Sequence, residues 1–211
     1  MSSNPKKASG LLGNARAAPP PPPPPMSTER DFTLPTSPQP PSVAATGPAG
    51  DFLVQLLIYN GHPFKDHWAY WVCSHTSPDY GVMIHATGDV RNGFKFEVKR
   101  GHDFLATQNP PSKRIPLQWV SGEYFDEAAM LNNGQYKIDN NPVCRFEASA
   151  HKVKAPEKSL NTTDNKSLGA SVGKKVTQRN CQTWIVESAD QLVRDNMLSR
   201  DVANYLRAIQ Q

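Results

Sequence analysis

Cys181 follows Asn180 and opens the segment Cys181-Gln-Thr-Trp-Ile-Val186, while two histidines, His67 and His85, stand inside β-rich runs far upstream. A cysteine at a helix start can act as a nucleophile for a physical reason. The unsatisfied N–H groups of the first turn and the positive end of the helix dipole favour a thiolate, lowering the thiol pKa below its free value of about 8.5. The same N–H groups can hold a developing oxyanion. Such a thiol needs a base, and the base needs a second polar group to orient it. His67 opens His67-Trp-Ala-Tyr-Trp-Val72 and His85 lies in Val82-Met-Ile-His-Ala86. If the two runs pair as a hairpin, both imidazoles can project from one face.

The residue types leave alternatives open. Asp66 and Asp89 are further candidates to orient a base, although both sit at turn edges, and Asn180 can be a simple helix cap. Cys181, His67 and His85 could also ligate zinc, but without a fourth ligand or the paired short spacings of zinc motifs. Cys73 and Cys144 read as inert buried thiols in strand-like runs. His62, His75, His102 and His151 stand in polar or turn contexts and read as solvent-facing. Trp68 and Trp184 are either core or the wall of a groove.

These residues must be positioned by regular elements. Phe52 to Tyr59 is an apolar β-rich run closed by Asn60-Gly61, and His67 to Ser74 is aromatic and β-branched. Gly81 to Thr87 is a short strand ended by Gly88-Asp89. Gly93 to Lys99 alternates, with Phe94, Phe96 and Val98 on the buried face. Ile115 to Val120 and Cys144 to Ala148 are further strand candidates, and Glu123 to Asn132 is a short helix stopping at Asn133-Gly134. Asn180 to about Asn196 is a helix with Cys181, Trp184, Ile185, Ser188 and Leu192 on one stripe. Ser199 caps a second, terminal helix. Strands at hairpin spacing followed by helices predict an α+β domain over 51–211, with an antiparallel sheet packed against the Cys181 helix and a C-terminal helix.

The chain has 211 residues, with a formal net charge of +4 and 20 prolines. Thirteen of those prolines fall within residues 1–50, seven of them consecutive from Pro19 to Pro25. That segment predicts a disordered, extended tail, either a solvated spacer or a ligand for SH3, WW or profilin-type grooves. Residues from about 149 to 176 are rich in lysine and read as a flexible loop. No run approaches the ~20 apolar residues of a membrane span, and no signal-peptide-length apolar run follows the N-terminus. Three widely spaced cysteines argue against a disulfide framework and for a reducing, cytoplasmic setting. A charge of +4 is weak steering for nucleic acid, so no specific nucleic-acid partner is expected. No phosphate-binding or other cofactor motif is present, and no cofactor is expected.

His67-Trp-Ala-Tyr-Trp, Val82-Met-Ile-His85 and Asn180-Cys181-Gln-Thr-Trp-Ile-Val186 resemble, in order, the signature segments of the lecithin:retinol acyltransferase-like proteins, the circularly permuted branch of the NlpC/P60, papain-like superfamily. The resemblance covers roughly residues 52–196. It implies Cys181 as nucleophile, His67 as general base and His85 as the group orienting it. In lipid-acting members Glu-His-Phe typically follows the cysteine, where this chain has Gln182-Thr183-Trp184. The gap between the histidines is also longer here, and the apolar C-terminal anchor of those members is missing.

The expected activity is that of a cysteine-dependent hydrolase or acyltransferase, acting on an acyl lipid or on a peptide or isopeptide bond. The competing readings are an inactive fold member that works as an interaction module through its polyproline tail, and a peripheral membrane or nucleic-acid binder that uses the lysine loop.

Overall fold

The computed structural model describes residues 37–159 and 178–211. Six strands form one antiparallel sheet: β1 (Phe52–Tyr59), β2 (His67–Cys73), β3 (Tyr80–Asp89), β4 (Gly93–Asp103), β5 (Lys113–Val120) and β6 (Lys137–Asp139). Their order across the sheet is β5-β1-β2-β3-β4-β6. Neighbours in sequence are neighbours in space across β1 to β4, as hairpin-length connections require. Four helices complete the described residues: α1 (Glu127–Met130), α2 (Arg145–His151), α3 (Cys181–Arg194) and α4 (Arg200–Ile209). The α+β class with an antiparallel sheet is therefore the observed one.

The strand period of two divides the side chains between two faces. Val54, Leu56, Trp68, Tyr70, Val72, Val82, Ile84, Phe96 and Val98 join the main core together with Trp184, Ile185 and Leu192 of α3 and Val202 and Leu206 of α4. Leu57, Ala69, Trp71, Cys73, Met83 and Phe104 form a smaller cluster. All but Phe104, just beyond β4, occupy the alternate strand positions and therefore the opposite face, which is free of helices among the described residues. Fully buried Trp184, Ile185 and Leu192 each contribute about 2 kcal/mol in holding α3 to the sheet. The Tyr70 hydroxyl locks the fit, donating to the Ile185 carbonyl at 2.9 Å and lying 3.2 Å from Ser188 Oγ.

Several expectations change. Cys144 to Ala148 is not a strand. Cys144 is the N-cap of α2, and Phe146, Ser149 and Ala150 are buried at helical spacing. A short apolar run does not distinguish the two periods, and here the partner decides. Buried Glu147 of α2 takes two hydrogen bonds from buried Arg100 of β4, at 2.9 and 3.0 Å. The helix expected over 123–132 is broken into a 3-10 turn at Gly122–Tyr124, α1, and a second 3-10 turn at Asn132–Gly134 where Asn133 adopts φ 51°. β4 runs to Asp103 rather than Lys99.

Of the proline-rich tail, residues 1–36 lie outside the described residues. Farther along, Trp119 Nε1 donates to the Ala44 carbonyl at 2.9 Å. Most of the lysine-rich loop, 160–177, also lies outside the described residues. No described helix is long and apolar enough to cross a membrane.

Candidate active site

β2 and β3 deliver the two histidines to the helix-free face. Their register runs from Cys73↔Gly81 to Tyr70↔Ile84. His67 lies on the same side as Ala69 and Trp71, and His85 on the same side as Met83. His67 Nε2 lies 2.8 Å from His85 Nδ1, and His85 Nε2 lies 3.3 Å from Glu97 Oε1 on β4. The other Glu97 oxygen pairs with Lys95 Nζ at 3.1 Å. An ionised carboxylate only accepts and a neutral imidazole has one donor, so the relay has a single consistent proton arrangement. His85 donates from Nε2 to Glu97, and His67 donates from Nε2 to His85 Nδ1. The lone pair of His67 is thereby assigned to Nδ1.

Both rings are held neutral. Burial, then the positive charge of Lys99, pushes the His67 pKa down to about 4, against an upward pull from Glu97. Burial, followed by His67 and Lys99, pushes His85 down to about 2.

α3 delivers Cys181. Asn180 caps it: its side chain accepts from Thr183 N at 3.1 Å, and Thr183 Oγ1 accepts from Asn180 N at 3.3 Å, a capping box. The role weighed for Asn180 as a cap is thus the one observed. Cys181 is 7% exposed, and its Sγ lies 3.9 Å from the Asp66 carbonyl, one residue before His67. The structure thus brings Cys181 to the main chain flanking His67, where residues 67–69 extend past the paired part of β3. Among the described residues no hydrogen bond joins Sγ to the His67 ring.

The expected low thiol pKa is corrected. Burial pushes the Cys181 thiol up, outweighing the N–H groups of Trp68, Gln182 and Cys181 itself and the charge of Lys65. At rest the thiol and the His67 imidazole are both neutral.

Residues not singled out from the sequence complete the site. Gln182 is fully buried. Its Nε2 donates to the Asp66 carbonyl at 2.9 Å and to Gln211 Oε1 at 3.1 Å, and its Oε1 accepts from Gln211 N at 2.9 Å. Asp66 is no partner of the histidines; its carboxylate accepts from Gly61 N and from Gln211 Nε2, both at 3.1 Å. Asp89 closes the β3–β4 turn by accepting from Arg91 N and Asn92 N. Glu97 alternates with Phe96 and Val98 and so lies on the strand face opposite the main core, yet it is 8% exposed.

The reading of His102 as solvent-facing is also corrected. Opposite the single residue Val82, β4 carries both Arg100 and Gly101, with Gly101 at φ 55°. Such a bulge turns the following side chain. His102 moves to the helix-free face, where its ring lies 6.0 Å from that of Trp71 and is 9% exposed. His62, His75 and His151 are exposed.

A cleft of about 340 Å³ opens on that face, lined by His67, His85, His102, Lys99 and Tyr59 among others. Among the described residues no group of three or more His, Cys, Asp and Glu side chains is placed to hold a metal ion. Cys181, His67 and His85 therefore do not form the zinc site that their types allow. Cys73 is buried in β2, and Cys144 is half-buried with its thiol pKa pushed up to about 12, chiefly by burial.

Neither a curated protein nor a solved structure matches the chain. Residues 54–199, which carry His67, His85, Glu97 and Cys181, match a family of unknown function, DUF6540, and the chain belongs to that family.

Proposed function

We propose that the domain is a cysteine-dependent hydrolase or acyltransferase with a circularly permuted papain-like architecture, acting on an ester or amide through a thioester. The observation that supports this most is the directed relay Glu97–His85–His67, which leaves the His67 Nδ1 lone pair available beside the residue whose carbonyl Cys181 Sγ approaches at 3.9 Å.

In the acylation step His67 Nδ1 takes the thiol proton as Sγ bonds to the substrate carbonyl carbon. The carbonyl electron pair moves onto oxygen, near the N–H groups at the α3 start. The tetrahedral intermediate collapses, the bond to the leaving alcohol or amine breaks, and His67 returns the proton to that group. Water or an acceptor nucleophile then attacks the thioester, giving its proton to His67, which passes it back to the cysteine sulfur. A neutral base suits a thiol that is neutral at rest, because proton transfer and attack then occur together. His85 and Glu97 position His67 and touch no reacting atom.

The test is turnover of a panel of small esters and amides by the wild type and Cys181→Ala. Loss of turnover with an unchanged circular dichroism spectrum is the expected result; undiminished turnover in the variant contradicts it.

A further inference from the structure

The wall of the cleft on the helix-free face is polar and carries a charge that nothing described neutralises. Lys99 follows Glu97 on the same face of β4, but Glu97 is engaged by Lys95 at 3.1 Å and by His85 at 3.3 Å. Lys99 has no ion pair among the described residues, and it lines the cleft. His102 lines it too, brought there by the Gly101 bulge, and its buried Nε2 has no hydrogen-bond partner among the described residues. After burial, the charge of Lys99 is a further cause that lowers the pKa of His67, His85 and His102 alike.

An unpaired cation in a partly desolvated cleft, beside an imidazole lacking a partner, matches an anion that can satisfy both. We propose that the cleft binds one carboxylate of the substrate, with Lys99 as countercharge and His102 as a hydrogen-bonding partner. The ester or amide acted on then belongs to a compact anionic molecule rather than to the acyl chain of a lipid. The volume of about 340 Å³ stands at the small end of the roughly 300–1,000 Å³ typical of small-molecule sites. Met83 is the one aliphatic side chain in a lining otherwise made of Tyr59, Asn60, Thr107, Asn109, the three histidines and Lys99. A single charge also favours a carboxylate over a phosphate dianion, whose second charge would stand unbalanced near Glu97. That the carboxylate is the substrate's rests on the proposed function; the binding itself does not.

The experiment is a titration of the imidazole NMR resonances of the full chain, wild type and Cys181→Ala, with N-acetylglycinate, its neutral isostere N-acetylglycinamide, and inorganic phosphate. The exposed His62, His75 and His151 serve as internal controls. N-acetylglycinate is expected to shift His102 and His67 saturably, with the amide at least about tenfold weaker, the size of a lost charge-assisted hydrogen bond. Lys99→Met is expected to weaken the binding of N-acetylglycinate about tenfold and Lys99→Arg to retain it. Equal binding of amide and carboxylate, tighter binding of phosphate, or an unchanged Lys99→Met overturns the proposal. The wild-type comparison of amide and carboxylate decides even if Lys99→Met fails to fold. The readout needs no turnover, so carboxylate binding to a catalytically silent chain would sink the hydrolase reading and leave the anion site standing.

Discussion

His67 Nε2 stands 2.8 Å from His85 Nδ1, and this contact decides which nitrogen of His67 can act as a base. Glu97 sets the direction from the far end, because its carboxylate can only accept from His85 Nε2 at 3.3 Å. Were the relay reversed, His67 Nδ1 would carry a proton and offer nothing to a thiol.

Glu97→Gln tests this direction. The amide can donate as well as accept, so the relay loses its bias while its shape survives. The expected result is a fall in kcat of about 10- to 100-fold, the usual cost of losing a group that orients a functional imidazole, with little change in the thermal midpoint. His85→Ala is expected to fall at least as far. A Glu97→Gln variant with wild-type kcat would show that Glu97 does not direct the relay.

The buried imidazoles also set a pH dependence. Their folded pKa values lie below the unfolded value, at about 4 for His67 and about 2 for His85. From about pH 6.5 downward the unfolded chain therefore binds protons that the folded chain refuses, and stability falls with pH until the folded pKa values are reached. Urea midpoints measured from pH 7 to 4.5 are expected to decline, and to decline less in a His67→Asn, His85→Asn double variant. The acid limb of activity, read where the fold persists, is expected near pH 4, not near 6.5.

Arg100 and Glu147 form a buried pair, 1% and 0% exposed at the side chain, that ties α2 to β4. Arg100 also bonds Asp139 of β6 at 3.1 Å. Removing one partner leaves the other charge buried and uncompensated, so Arg100→Ala is expected to cost about 3–5 kcal/mol in urea unfolding. A loss below ~1 kcal/mol, the range of exposed pairs, would mean that the pair is solvated in solution.

Gly101 occupies the left-handed region at φ 55°, and a Cβ there would stand 3.0 Å from both the Gln135 carbonyl oxygen and Tyr80 Oη. Gly101→Ala is expected to destabilise by more than the ~1 kcal/mol that a glycine replacement gains where the backbone accepts it, and to perturb the His102 resonance ahead of those of His62 and His151. An unchanged His102 resonance would mean that the bulge does not aim that ring.

Much of this arrangement was legible in the sequence because its signals are local. The apolar run at Phe52 to Tyr59, the alternation at Phe94, Phe96 and Val98, and the stripe through Cys181, Trp184, Ile185 and Leu192 each follow from one element's own period. The common face of His67 and His85 follows from the pairing of their runs as a hairpin. Features set by partners distant in sequence were not legible there. The helix at Arg145–His151 depends on Arg100, the burial of His102 on a bulge, and the fixing of Gln182 on Gln211. The raised thiol pKa was missed because the capped helix start is local, whereas the burial that outweighs it is supplied by the whole fold.

The central claim is that His67 activates Cys181 for attack on a carbonyl, and the most direct test is acylation by p-nitrophenyl acetate, with peptide mapping of the acetylated cysteine. The account predicts stoichiometric acetylation of Cys181 with release of p-nitrophenol, little on Cys73 or Cys144, and a rate about 10²- to 10⁴-fold lower in His67→Ala, the usual contribution of a general base. Acetylation spread evenly over the three cysteines, or a Cys181 rate indifferent to the loss of His67, would contradict it.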